Sequence, residues 1–264
     1  TATPIPTLAP TPTPQATPRP RIAFNSDRTG AWSVYLMDQD GSNPNRITEQ
    51  MTSPDLYPTL SPDGTKVAFS SFRDGNYEIY AGNLADMTNA VRLTTDLSPD
   101  LYPSWSPDGR KILFSSRRHG NWEIFTVNSD GSGGLNRLTT NIDYDLDPSW
   151  SADGSMIAFS RLRSGNYDIF KMAADGSGIT QLTSDNAMDL KPSWGKDDKI
   201  SFHSDREGNW EIYVMNVDGT GQSNLTNHSS DDMYPSWSPD GNKIAFQSTR
   251  RTNVEVLVMD ADGS

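Results

Sequence analysis

Cysteine is absent from the 264 residues. Disulfides, thiol nucleophiles and cysteine metal sites are therefore excluded. Histidine occurs three times, at His119, His203 and His228, without the i, i+4 or similar spacing that zinc ligands show. No apolar run approaches the ~18–20 residues of a membrane helix, so direct membrane insertion is not expected. No stretch sustains a 3.6-residue period. Positive charge is the scarcer sign. The 22 Lys and Arg against 34 Asp and Glu leave a net charge of −12, which disfavours nucleic acid and anionic membrane surfaces and suits a neutral or basic partner. Also missing are a G-x-S-x-G elbow, a glycine-rich phosphate loop and a serine–histidine arrangement of any familiar kind. No catalytic residue and no cofactor are expected. No signal peptide is recognisable, so any export signal was removed or lies outside this sequence.

What is present is repetition. An apolar triplet recurs as Ile22-Ala23-Phe24, Val67-Ala68-Phe69, Ile112-Leu113-Phe114, Ile157-Ala158-Phe159, Ile200-Ser201-Phe202 and Ile244-Ala245-Phe246, at steps of 45, 45, 45, 43 and 44 residues. In one copy, Tyr102–Ser106, Lys111–Ser115, Trp122–Val127 and Asn136–Thr139 are bursts of aromatic and β-branched residues. They are separated by Pro107-Asp108-Gly109, Arg118–Asn121 and Asp130-Gly131-Ser132. Such bursts read as strands and such separators as tight turns. Four short antiparallel strands per unit of about 45 residues make a propeller blade, and blades bury their faces only by stacking in a ring. The predicted fold is all-β: a six-bladed β-propeller of four-stranded blades over residues 21–264, its last blade incomplete.

The units YPSWSPDGRKILFSSRRHGNWEIFTVNSDGSGGLNRLTT and YPSWSPDGNKIAFQSTRRTNVEVLVMDADGS resemble the WD-like repeat of the TolB propeller family, which also occurs in the propellers of prolyl-oligopeptidase-type enzymes. The second copy departs from it with Ala85-Asp86-Met87, and the fifth with Gly195-Lys196-Asp197-Asp198. The resemblance implies a non-catalytic, extracytoplasmic scaffold, periplasmic or at the cell surface. Its implied partner is a protein, an envelope lipoprotein or a peptide. Two alternatives stay open: the gating propeller of a prolyl-oligopeptidase-like serine hydrolase, and a carbohydrate-binding propeller.

The ends do not match the repeat. Residues 1–20 are a Thr/Pro run that reads as a semi-rigid spacer. Within it, Ile5–Pro10 resembles Tyr57–Pro62 and is a candidate for the missing first strand of the first blade. The last copy stops at Asp262-Gly263-Ser264, before its fourth strand, so the chain is either a fragment or takes a strand from its N-terminal segment.

Alternation of loops puts three periodic sets on one rim. Arginine recurs at Arg28, Arg73, Arg118, Arg163, Arg206 and Arg250. Aspartate recurs at Asp55, Asp100, Asp145, Asp189 and Asp232, and a further acid at Glu78, Glu123, Asp168, Glu211 and Glu255. Beside them stand Trp32, Tyr77, Trp122, Tyr167 and Trp210, with Val254 in the sixth copy. A ring of charge and aromatic rings around a channel mouth suits a protein or peptide partner. The same periodicity equally suits Arg–Asp forks that tie one blade to the next. Asp143, Asp145 and Asp147 share a face if extended, which makes them a candidate calcium site.

Overall fold

The computed structural model describes residues 20–48 and 53–264. Nearly all of the spacer expected over 1–20, and the candidate strand Ile5–Pro10, lie outside the described residues. The rest forms six antiparallel sheets, each a blade. Blade 1 holds β1 (Arg21–Ser26), β2 (Ser33–Asp38) and β3 (Asn45–Arg46). Blade 2 runs β4 (Asp55–Leu60), β5 (Lys66–Ser71), β6 (Glu78–Asn83) and β7 (Asp86–Arg92). Blade 3 runs β8 (Asp100–Trp105), β9 (Lys111–Ser116), β10 (Glu123–Asn128) and β11 (Asn136–Arg137). Blade 4 runs β12 (Tyr144–Trp150), β13 (Met156–Arg163), β14 (Asn166–Ala173) and β15 (Thr180–Gln181). Blade 5 runs β16 (Asp189–Trp194), β17 (Lys199–Ser204), β18 (Glu211–Asn216) and β19 (Ser223–Asn224). Blade 6 ends at three strands, β20 (Asp232–Trp237), β21 (Lys243–Ser248) and β22 (Glu255–Asp260).

The core lies between blades. Successive strand residues point to opposite faces, so Ile112, Phe114, Phe125 and Val127 of blade 3 pack on Ala68, Ile79, Ala81 and Leu93 of blade 2. Leu113 and Ile124, on the other face, pack on Trp150, Ile157, Phe159, Phe170 and Met172 of blade 4. The four phenylalanines Phe69, Phe114, Phe159 and Phe202 are fully buried, and each contributes about 1.5–3 kcal/mol through that burial. Trp105 is buried on the innermost strand and donates its indole N–H to the Thr59 carbonyl of the preceding blade at 3.2 Å. Each Pro-Asp-Gly turn is held by its own carboxylate. Asp108 Oδ1 accepts the Ser106 hydroxyl at 2.6 Å and the Arg110 N–H at 3.0 Å, and Gly109 takes φ 69°.

The first strand of blades 2 to 6 is bulged. In β8 the pairing with β9 shifts between Leu101 and Ser104, and Tyr102 takes φ 60°. The same break recurs with Tyr57, Asp147, Lys191 and Tyr234 at positive φ. Each of these residues precedes a proline, which disfavours the right-handed helical region. The left-handed kink swings its side chain off the sheet. Lys191 of blade 5 thereby comes 5.0 Å from the ring centroid of Tyr57 in blade 2. Contact across three blades shows that the first strands line the ring axis.

Candidate functional site

The rim of the second-to-third strand loops carries the periodic charges. The arginine–aspartate pairs close within a blade, not between blades as one reading expected. Asp55 begins the first strand and Arg73 follows the second strand of the same sheet, with Nη2 3.3 Å from Asp55 Oδ1. Arg118–Asp100 (2.7 Å), Arg206–Asp189 (3.0 Å) and Arg250–Asp232 (2.6 Å) repeat the pair. The five aspartate side chains are fully buried. Each of these arginines also caps aromatic rings: the Arg118 guanidinium lies 5.6 Å from Phe114 and 5.0 Å from Phe125. Arg28 caps Phe24 and Tyr35 in the same manner. Burial raises the carboxyl of Asp100 to about 6 against the pull of Ser116 and Arg118, and raises that of Asp189.

Blade 4 breaks the pattern. Where other blades have the serine that receives the arginine Nε, as Ser116 receives Arg118 at 2.8 Å, this blade has Arg161. Arg161 forks onto Asp145 at 2.7 and 2.9 Å and takes over the place above Phe159 and Phe170. Arg163 is left exposed. Counting arginines by period passed over this exchange, although Arg161 stands where Ser71 and Ser116 stand in the neighbouring copies.

Backbone bonds carry the junction between blades. The Asp55, Asp100, Asp145 and Asp232 N–H groups donate to the carbonyls of Trp32, Tyr77, Trp122 and Trp210. Trp122, Tyr167 and Trp210 are half-buried, and Trp32 is exposed. Trp210 meets the His203 ring edge-on at 4.8 Å. The second set of acids holds the outer strand: Glu78 accepts Arg92, Thr94 and Asn76. Asp168 receives Gln181 and Asn166 and is raised to about 6 by burial and by the charges of Asp189 and Asp185.

On the axis the kinked residues meet. Lys191 Nζ lies 2.5 Å from Asp147 Oδ1, 3.2 Å from the Tyr102 centroid and 5.3 Å from that of Tyr234. Tyr57 and Tyr102 pack at 4.4 Å. One ammonium, from blade 5, thus sits in a cage of three tyrosines and a carboxylate drawn from the four other blades 2, 3, 4 and 6. Such a cage attracts a cation through the negative ring faces. Burial lowers the Lys191 ammonium, and Asp147 opposes that shift. His203 is buried beside the cage, accepts the Tyr234 N–H at Nδ1 and is held down to about 3 by burial and by Lys191. It is a neutral packing group. His119 and His228 are exposed and stand apart from it.

The three clustered acids do not converge. Asp145 is paired with Arg161 and Asn141, and the bulge carries Asp147 to the axis and Lys191. Among the described residues no group of three acid or histidine side chains is placed to hold a metal. No helix among them is long and apolar enough to cross a membrane.

A sequence model described as a TolB β-propeller domain matches residues 52–162. No curated protein matches the sequence. Among solved structures, a TolB of Agrobacterium tumefaciens, itself described as provisional, is 25% identical, over 88% of this chain and 86% of that one, with a TM-score of 0.77. TolB from Acinetobacter baumannii is 24% identical over 92% of this chain, which spans 62% of that protein, with a TM-score of 0.78. A puromycin-hydrolyzing peptidase of Mycobacterium tuberculosis shares the fold at 15% identity, 92% and 42% coverage and a TM-score of 0.65. Sheet order, axial geometry and these similarities agree: the chain is a TolB-like six-bladed β-propeller.

Proposed function

We propose that the chain is a non-catalytic protein-binding module acting outside the cytoplasm, in the periplasm or at the cell surface. Its binding surface is the rim that carries the Arg, Asp and aromatic series around the axial cage. One observation carries this reading. Trp32, Phe72 and Tyr144 on this rim are 43, 39 and 37% exposed, and Tyr234 on the axis is 41% exposed, while the aspartates beneath them and the arginines paired with them are tied into the fold. Exposed aromatic rings on a rigid platform are the usual anchors of protein interfaces. The resemblance to TolB propellers supports a protein or lipoprotein partner and an extracytoplasmic place.

The test is to pass an envelope extract over the immobilised chain. Rim variants Trp32→Ser, Tyr144→Ser and Arg163→Ala are compared with Asp130→Asn and Asp175→Asn on the opposite rim. Capture of one protein that rim variants abolish and opposite-rim variants leave intact is expected. Capture that ignores the rim, or no capture, refutes the reading.

A further inference from the structure

The links between blades share a clamp. The Asn76 amide donates to the carbonyls of Asp96 and Ser98 at 2.8 and 3.3 Å. Asn121 holds Asn141 and Asp143 at 2.9 and 2.7 Å. Asn209 holds His228 and Ser230 at 2.9 and 3.1 Å, and Asn166 holds Asp185 at 3.0 Å. With the flanking carbonyls pinned, the residue between them turns outward. In the next two links that residue is polar and exposed: Asn186 and Ser229. From blade 2 to blade 3, however, it is Leu97, 99% exposed, and from blade 3 to blade 4 it is Ile142, 93% exposed. The fold gains nothing from these two aliphatics, since polar residues serve at the sister positions.

Phe72 and Tyr144, both partly exposed, extend the apolar surface on the same sector. Acids flank it: Asp96 precedes Leu97 and Asp143 follows Ile142. Of the cations on the blade 3 loop, the half-buried Arg118 is already paired with Asp100, and the exposed Arg117 lies over the Trp122 ring at 5.9 Å. An anionic bilayer would repel a chain of net charge −12. A protein groove with basic edges is complementary to both features. The clamps hold the links in place before contact, so little ordering is required on binding.

We propose that Leu97 and Ile142 form a paired anchor that inserts into an apolar groove edged by lysine or arginine on a partner protein. The proposal rests on the protein-binding reading and narrows it to the sector of blades 2 to 4. The probe is a displayed library of small three-helix proteins randomised on one face, panned on the whole chain. Binders are compared on the Leu97→Asn/Ile142→Ser double variant, which carries the residue types of the sister links, and on Asn186→Ser/Ser229→Asn as a control. Rim binders with an apolar, basic face are expected to weaken by about tenfold or more per substitution, because full burial of Leu or Ile exceeds the free energy of a tenfold change. Thermal unfolding of both variants should match the parent.

Rim binders that keep full affinity for the Leu97→Asn/Ile142→Ser variant but lose it with Trp32→Ser overturn the proposal and leave the protein-binding reading standing. A library that yields no rim binder overturns both. Sedimentation of the parent, but not of the double variant, with phosphatidylcholine–phosphatidylglycerol vesicles overturns the proposal in favour of a membrane surface.

Discussion

Replacing Lys191 with Met removes the one ammonium from the axial cage and keeps most of its volume. The Asp147 side chain is 5% exposed and Lys191 is its ion-pair partner, with Nζ 2.5 Å from Oδ1. Its Oδ1 has no hydrogen-bond partner beyond that ion pair. Breaking a buried pair by removing one member typically costs about 3–5 kcal/mol, because the remaining charge stays desolvated. Loss of the cation over Tyr102 adds to this, and the apolar methionine returns part of it. A net loss of about 3–5 kcal/mol is expected, or roughly 6–20 °C in melting temperature for a chain of this size. The double variant Lys191→Met/Asp147→Asn removes both charges and should recover to within about 1 kcal/mol of the parent. Urea unfolding of the two single variants and the double variant, followed by tryptophan fluorescence, closes the cycle. If Lys191→Met loses less than about 1 kcal/mol, or if the double variant is as unstable as the sum of the singles, the cage does not couple the blades as described.

Three further outcomes follow from the same geometry. His203 is held near 3 by burial against an ordinary value of 6.5, so the unfolded chain binds a proton that the native state refuses. Its contribution is intact above pH 6.5 and is lost as pH falls toward 3, at up to about 1.4 kcal/mol per pH unit. Asp100 and Asp168, raised to about 6, act in the opposite sense between pH 4 and 6. The difference in stability between the parent and His203→Ser across pH 4–7 isolates the histidine, and a pH-independent difference contradicts the assignment. Arg118→Met strands the fully buried Asp100 carboxylate and should lose about 3–5 kcal/mol, whereas Arg163→Ala should stay within about 0.5. Equal losses in denaturant titration would remove the distinction between the two arginines. Gly195→Ala places a methyl group 2.7 Å from two atoms of the Trp237 ring and should lower stability by about 1–3 kcal/mol through overpacking. Calorimetry showing no change would mean that Trp237 shifts freely.

The blades were legible because a strand's side chains alternate in two directions, and both directions here face another blade. That is why Ile112 and Phe114 serve one interface and Leu113 the next. The axial cage was not legible from periodicity, because its residues are Tyr, Tyr, Asp, Lys and Tyr. A signal did exist: a variable slot before proline in an otherwise fixed Asp-Leu-x-Pro or Asp-Met-x-Pro frame. The exchange of Arg163 for Arg161 was hidden because counting arginines by period ignores the serine that each one leans on. Leu97 and Ile142 were hidden because nothing in the sequence states that the amide of Asn76 or Asn121 pins the carbonyls on either side of them.

The sequence by itself determined the repeat, the strands, the turns and the layers between blades, since these rest on local chain geometry and on which faces must leave water. Only the tertiary structure decided which charges are consumed within a blade and which five side chains meet on the axis. It also decided that Leu97 and Ile142 stand almost wholly in solvent. Those outcomes depend on left-handed kinks and on contacts between residues up to 134 positions apart, as between Tyr57 and Lys191.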